Sequence, residues 1–142
     1  MSGMGESAVQ QLPAGAENMS AGGYNLHAGP FYRLPAEADD LGGRYAFIVG
    51  PKHLNSVGNI HGGLLMTFAD VAMSRTARLA AGVESCNTVS LTVDFVGPGK
   101  LGDMVEAVVR VTRRTRTLVF QTANIAIGDR VIMVATGLWK IG

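Results

Sequence analysis

Residues 55–70 read N-S-V-G-N-I-H-G-G-L-L-M-T-F-A-D, from Asn55 to Asp70. A polar approach broken by glycine leads to a histidine, two glycines, and an amphipathic run holding one acid. Gly62 and Gly63 stand where a loop enters a helix. Lacking Cβ atoms, they let another group come close to backbone N–H donors that the helix itself cannot use. Such a helix start attracts negative charge, including charge that builds on a carbonyl oxygen under attack.

Helical spacing of about 100° per residue puts Leu65, Phe68, Ala69, Ala72, Thr76 and Leu79 on one side, an apolar stripe suited to a core. Asp70 falls on the other side with Gly63, Thr67, Ser74 and Ala77, flanked by Met66 and Met73. A face turned to water ordinarily carries several charges. This one carries a single acid, with Arg75 and Arg78 toward one edge. The expectation is that another subunit covers it, leaving Asp70 a lone acid in an interface.

Working outward, Arg44 to Val49 alternates as a strand, and Gly50-Pro51 ends it. Acids at Glu37, Asp39 and Asp40 with Gly42-Gly43 mark a loop before it. The helix is predicted to stop near Gly82, a C-cap glycine that follows Arg75 and Arg78. Beyond it, Thr88–Val96 alternates Val89, Leu91, Val93 and Phe95 against Thr88, Ser90, Thr92 and Asp94. Met104–Thr112, Thr117–Ile127 and Arg130–Ile141 follow, the last two joined by a tight turn at Gly128-Asp129. Four consecutive strands with short links read as an antiparallel meander whose apolar face needs a cover, and the long helix is the candidate. Pattern alone therefore supports an α+β fold with one helix on one sheet.

At 142 residues the chain is long enough for one domain with a proper core. Residues 1–23 read as a flexible, Gly-, Ala- and Ser-rich N-terminal tail, and 24–142 as a single domain. A net charge of +1 argues against a nucleic-acid binder that relies on a broad basic field. No apolar run approaches the roughly 18 residues that cross a bilayer, so no membrane partner is expected. Cys86 is the only cysteine, which excludes an intrachain disulfide and a cysteine metal cluster. It reads as a buried thiol in a reducing, cytoplasmic setting. The three histidines show no metal-ligand spacing with a nearby acid, so no metal is expected. His27 and His53 read as structural or exposed.

Asn55 with Gly58, then His61-Gly62-Gly63, then Asp70, resemble the signature of PaaI-like acyl-CoA thioesterases of the hotdog superfamily. The likeness continues through Thr88-Val89-Ser90-Leu91, Phe95-Val96-Gly97-Pro98 and Lys100-Leu101-Gly102-Asp103. It covers roughly Tyr45 to Leu138, and says little about the acyl group. It implies a hotdog fold, an antiparallel sheet wrapped around one long central helix. It also implies a homodimer with active sites shared between subunits, two such dimers often pairing into a tetramer. His61 and the Gly62 N–H would come from one protomer and Asp70 from the other.

Thioester hydrolysis needs an activated water or a direct nucleophile, and donors for the oxyanion. Asp70 is the candidate general base or nucleophile; the bland alternative is an acid paired along the helix with Arg75 or Arg78. Gly62 is the backbone donor, with Gly63 beside it at the substrate. His61 orients the carbonyl or holds the loop. Asn55 positions water or Asp70, or is simply a turn residue. Thr88 holds the attacking water, or is an ordinary strand threonine. Arg113, Arg114 and Arg116 form a basic turn suited to the phosphates of coenzyme A, or a solvated hairpin tip. The substrate is an aryl- or medium-chain acyl-CoA; coenzyme A belongs to the substrate, and no separate cofactor is expected. The competing readings are a non-catalytic acyl-CoA sensor or scaffold and, from the same fold, a hydratase or dehydratase.

Overall fold

Alternating apolar and polar residues between Arg44 and Lys140 build most of one antiparallel sheet of seven strands. The computed structural model describes residues 11–36 and 42–142. Its strands are β1 (Glu17–Asn18), β2 (Tyr32–Arg33), β3 (Gly42–Ile48), β4 (Asn87–Phe95), β5 (Met104–Arg114), β6 (Leu118–Ile127) and β7 (Arg130–Lys140). A short helix, α1 (Gly23–Ala28), precedes β2, and a 20-residue helix, α2 (Gly62–Ala81), lies between β3 and β4. The acids Glu37, Asp39 and Asp40 lie outside the described residues.

Helix α2 begins and ends for identifiable reasons. His61 is its N-cap, and its Nδ1 accepts from the Gly63 N–H at 2.9 Å, satisfying one donor that the helix leaves open. Gly82 ends it in the left-handed region, φ 67°, donating its N–H to the Arg78 carbonyl. Leu65, Phe68, Ala69, Ala72 and Thr76 are buried as their spacing predicts. Leu79 departs from that stripe: it is 49% exposed, while Met73 and Ala77 are fully buried. The buried arc thus rotates around α2 from its first half to its second, as a twisted sheet wrapping a straight helix requires.

The sheet runs β1-β2-β3-β5-β6-β7-β4, which corrects the expected meander. Strands β5, β6 and β7 follow one another as hairpins, but β4 pairs with β7 and not with β5. Strand β5 is taken by β3 on its other side, so β4 is left at the far edge and residues 96–103 cross the end of the sheet. That crossing is anchored on the way: Ile60 donates to Gly99 O at 2.9 Å, and Gly102 to Val49 O at 2.9 Å.

Phe31, Phe47 and Phe68 meet at centroid separations of 4.8 to 5.6 Å and tie the region before β2, β3 and α2 into one core. His53, also buried, stacks edge-on to Phe47 at 5.2 Å. Its Nδ1 accepts from the Gly50 N–H at 3.0 Å while Nε2 meets Ala28 O at 2.7 Å, which makes it a structural link between loop and α1. The expected tail through Gly23 is partly built into the fold. Glu17–Asn18 pair with Tyr32–Arg33, and Met19 packs on the core.

Candidate active site

Asp70 sits on the open side of α2, half-buried, and its Oδ1 accepts from Thr88 Oγ1 at 2.7 Å. Simple alternation would turn Thr88 away from the helix. A β-bulge between Thr88 and Ser90 prevents this, since Val89 is the extra residue, unpaired with β7 and 56% exposed. One inserted residue flips the faces of everything before it. Thr88 therefore pairs with Trp139, a fully buried residue, and shares its helix-facing side. Thr88 is thus corrected from the outer face to the inner one.

The uncharged face around Asp70 is covered in part by the chain itself. Trp139 Nε1 donates to Ser74 Oγ at 2.9 Å, and the Cys86 thiol reaches Ser74 O at 3.5 Å. Together with buried Met73 and Ala77, this explains much of the missing charge without a second subunit; Met66, at 37% exposure, stays open. Nor does Asp70 pair with Arg75, which donates instead to Glu17 Oε2 at 3.0 Å. The other carboxylate oxygen of Asp70 has no hydrogen-bond partner among the described residues. A cavity of about 360 Å³ opens beside Asp70 and Thr88, with Arg75, Arg78, Asn25 and Asn87 on its wall.

At the start of α2 the two glycines do different work. Gly63 gives its N–H to the His61 ring, and a Cβ there would lie 3.1 Å from that ring. The Gly62 N–H has no partner among the described residues, and a Cβ on Gly62 would come within 3.2 Å of the Phe95 ring. One helix-start donor is thus capped and its neighbour left for an acceptor, backed by the positive end of the helix. A second cavity, of about 340 Å³, lies on the His61 and Gly63 side, walled by Tyr24, Leu54 and Leu64 with Lys52 at its polar rim.

Gly62 and Asp70 are eight positions apart on one helix, about 12 Å along its axis. That is too far for both to touch one thioester group from the same chain. Asn55 takes the turn role: its Oδ1 accepts from the N–H groups of Val57 and Asn59 at 3.1 and 3.0 Å. Arg113, Arg114 and Arg116 are exposed at the β5–β6 turn. That turn is held by the Thr115 hydroxyl, which accepts from Leu118 N–H at 3.0 Å. It lies toward the sheet end that carries Asn87, since Lys140 pairs with both Asn87 and Leu118. Among the described residues there is no cluster of three His, Cys, Asp or Glu side chains able to hold a metal. No described helix is long and apolar enough to cross a membrane.

Residues 57–134 match the family model of the thioesterase superfamily, more than half of the chain. The chain belongs to the thioesterase superfamily. It is accordingly a thioester hydrolase with a hotdog fold. A Pseudomonas aeruginosa protein named as an esterase is 32% identical over 97 residues, 68% of this chain and 72% of that one. Human acyl-coenzyme A thioesterase 13 is 31% identical over 81 residues, 54% of this thioesterase and 55% of its own length. Among solved structures, the E. coli PaaI protein of the phenylacetic acid degradation operon superposes with a TM-score of 0.70 at 21% identity, covering 79% of this chain and 80% of that one. A hypothetical thioesterase from Streptococcus pneumoniae, solved with coenzyme A, gives 0.69 at 22% identity, covering 79% and 85%. At those identities the two structures speak for the fold alone.

Sequence reading missed three features of this site: the Phe95 ring over Gly62, the Trp139–Ser74 bond, and the cavity that Arg78 shares with Asp70. All three bring together elements distant in the chain, and the bulge at Val89 had no local signal either, since Thr88 stands in phase with Ser90, Thr92 and Asp94 in the sequence.

Proposed function

We propose that this thioesterase hydrolyses acyl-CoA thioesters of the aryl or medium-chain class to the free acid and coenzyme A. The single observation that carries the proposal is the state of Asp70: a carboxylate with one oxygen held by Thr88, the other without a partner among the described residues, beside a cavity. Such a group is oriented and still able to act. As general base it takes a proton from water while the water oxygen attacks the thioester carbon. The C–S bond then breaks, and the sulfur leaves with a proton returned by Asp70. As nucleophile, the same carboxylate attacks the carbonyl carbon directly, the C–S bond breaks to release coenzyme A as thiolate, and water then hydrolyses the resulting anhydride to the free acid and the restored carboxylate. On either route the Gly62 N–H takes the charge on the carbonyl oxygen.

The 12 Å estimate for the Gly62–Asp70 spacing supports a homodimer in which Gly62 of one protomer faces Asp70 of the other, with pairing of dimers as the further assembly. Strand β4 supports it too, because it ends the sheet with one edge unpaired among the described residues and with Val89 and Phe95 more than half exposed. The relative named for acyl-CoA thioesterase activity and the fold neighbour solved with coenzyme A agree with a CoA ester as substrate. The exposed arginines at 113, 114 and 116 suit its phosphates.

The test is thiol release from a panel of aryl- and alkyl-CoA esters, with native protein beside Asp70→Asn. The expected result is turnover of at least one ester and a loss of about a hundredfold or more in kcat for the variant. Equal activity of the two proteins would remove Asp70 from the mechanism. Binding of acyl-CoA without thiol release by either protein would replace the enzyme by a sensor.

A further inference from the structure

The cavity beside Asp70 is walled by polar groups, which an unsubstituted aryl or alkyl chain does not need. Two of them are arginines, and their situations differ. Arg75 is paired with Glu17 at 3.0 Å. Arg78 is half-buried and has neither hydrogen bond nor ion pair from its side chain among the described residues. Its helical neighbours three and four positions away are Ser74, Arg75, Ala81 and Gly82, so no acid on its own helix reaches it. The dipole of α2 accounts for a cation in the last turn, but not for one facing into a cavity shared with a carboxylate.

Asn25 and Asn87 line the same cavity, and neither side chain makes a hydrogen bond among the described residues. A half-buried guanidinium with amide donors beside it lacks one thing, an oxyanion. We infer that Arg78, with Asn25 and Asn87, binds an anionic group of the substrate in the cavity next to Asp70. This rests on the reading of the cavity beside Asp70 as the acyl-CoA site. The anion is a carboxylate on the acyl group or a phosphate of coenzyme A. Asp70 and Arg78 are about 12 Å apart along the helix before either side chain reaches inward. That span suits a carboxylate a few carbons from the thioester carbonyl, and the pantetheine arm carries its phosphates farther away.

The test is calorimetric binding of thioethers, which cannot be hydrolysed: S-carboxybutyl-CoA, S-pentyl-CoA and S-carboxybutyl-pantetheine. Native protein is expected to bind the carboxybutyl thioether about tenfold or more tighter than the pentyl one, and Arg78→Gln to erase that difference. Arg78→Lys, which keeps the charge, should retain part of it and shows that the fold tolerates change there. If Arg78→Gln instead weakens both CoA thioethers alike and spares the pantetheine one, the anion is a phosphate of coenzyme A. If neither comparison depends on Arg78, or no thioether binds, the inference is overturned. Binding needs no turnover, so a dependence on Arg78 without any thiol release would sink the catalytic reading and leave this one standing.

Discussion

In the proposed mechanism Thr88 acts through Asp70, fixing one carboxylate oxygen at 2.7 Å and leaving the other open among the described residues. Thr88→Val keeps the shape and removes the hydroxyl. We expect kcat to fall about tenfold, the worth of one hydrogen bond to a charged group, with Thr88→Ser restoring most of it and melting temperature little changed. His61 differs in kind, because its ring caps α2. His61→Ala should lower the melting temperature by about 3 °C, from about 1 kcal/mol of lost N-cap, as read by calorimetry. Tyr45 supplies a pH signature. Its phenol is buried and bonded to Thr76 Oγ1 at 2.8 Å, and burial pushes its pKa above the usual 10.0. Above that pH the unfolded chain releases the phenolic proton more readily than the folded one, so stability falls as pH rises past about 10. Tyr45→Phe, melted at pH 9 and pH 11, should show a smaller alkaline loss than native protein.

The bulge in β4 decides which side chain faces Asp70. Deleting Val89 should close the bulge and leave Thr88 on the inner face opposite Trp139, because Ser90 stays opposite Leu138 and Thr88 becomes its direct neighbour. The expected outcome is a kcat loss smaller than that of Thr88→Val, with Trp139 still buried by fluorescence. A loss as large as that of Thr88→Val would show that the bulge itself, and not the register with β7, sets the contact. Helix α2 plays the complementary part, carrying Gly62 at its start and Asp70 two turns on, while Met73, Thr76 and Ala77 hold it against the sheet.

Two chains together complete what one chain cannot, if a thioester must meet the Gly62 N–H and Asp70 at once. The prediction is complementation. Asp70→Asn and Gly62→Val, each nearly inactive alone, are mixed, unfolded and refolded together. Random pairing puts half of the chains in mixed dimers, each with one intact site, so about a quarter of native activity should return. No recovery would mean that each site is built within one chain. The edge of β4 gives the same assembly a physical motive, because an edge unpaired among the described residues, with half-exposed Val89 and Phe95, gains from being covered.

Much of this molecule is written in local pattern. The capped start at His61, the end of α2 at Gly82, the Gly128-Asp129 turn and the strand periods from Met104 to Lys140 each follow from side-chain spacing and backbone preference over a few residues. Asp70, Gly62 and Thr88 were legible as candidates for the same reason, since residue type and position relative to a helix start already limit what chemistry is available. Strand order was not legible. Whether β4 pairs with β5 or crosses to β7 depends on β3 having claimed the far side of β5, a contest between segments widely separated in the chain. The bulge at Val89, the bond from Trp139 to Ser74 and the burial of Met73 in place of Leu79 follow from that same long-range arrangement. Periodicity names the faces of an element, but only packing against distant partners chooses which face is covered and by what. For that reason the catalytic candidates were readable in the chain, whereas the cavity that joins Asp70 to Arg78 exists only in the folded protein.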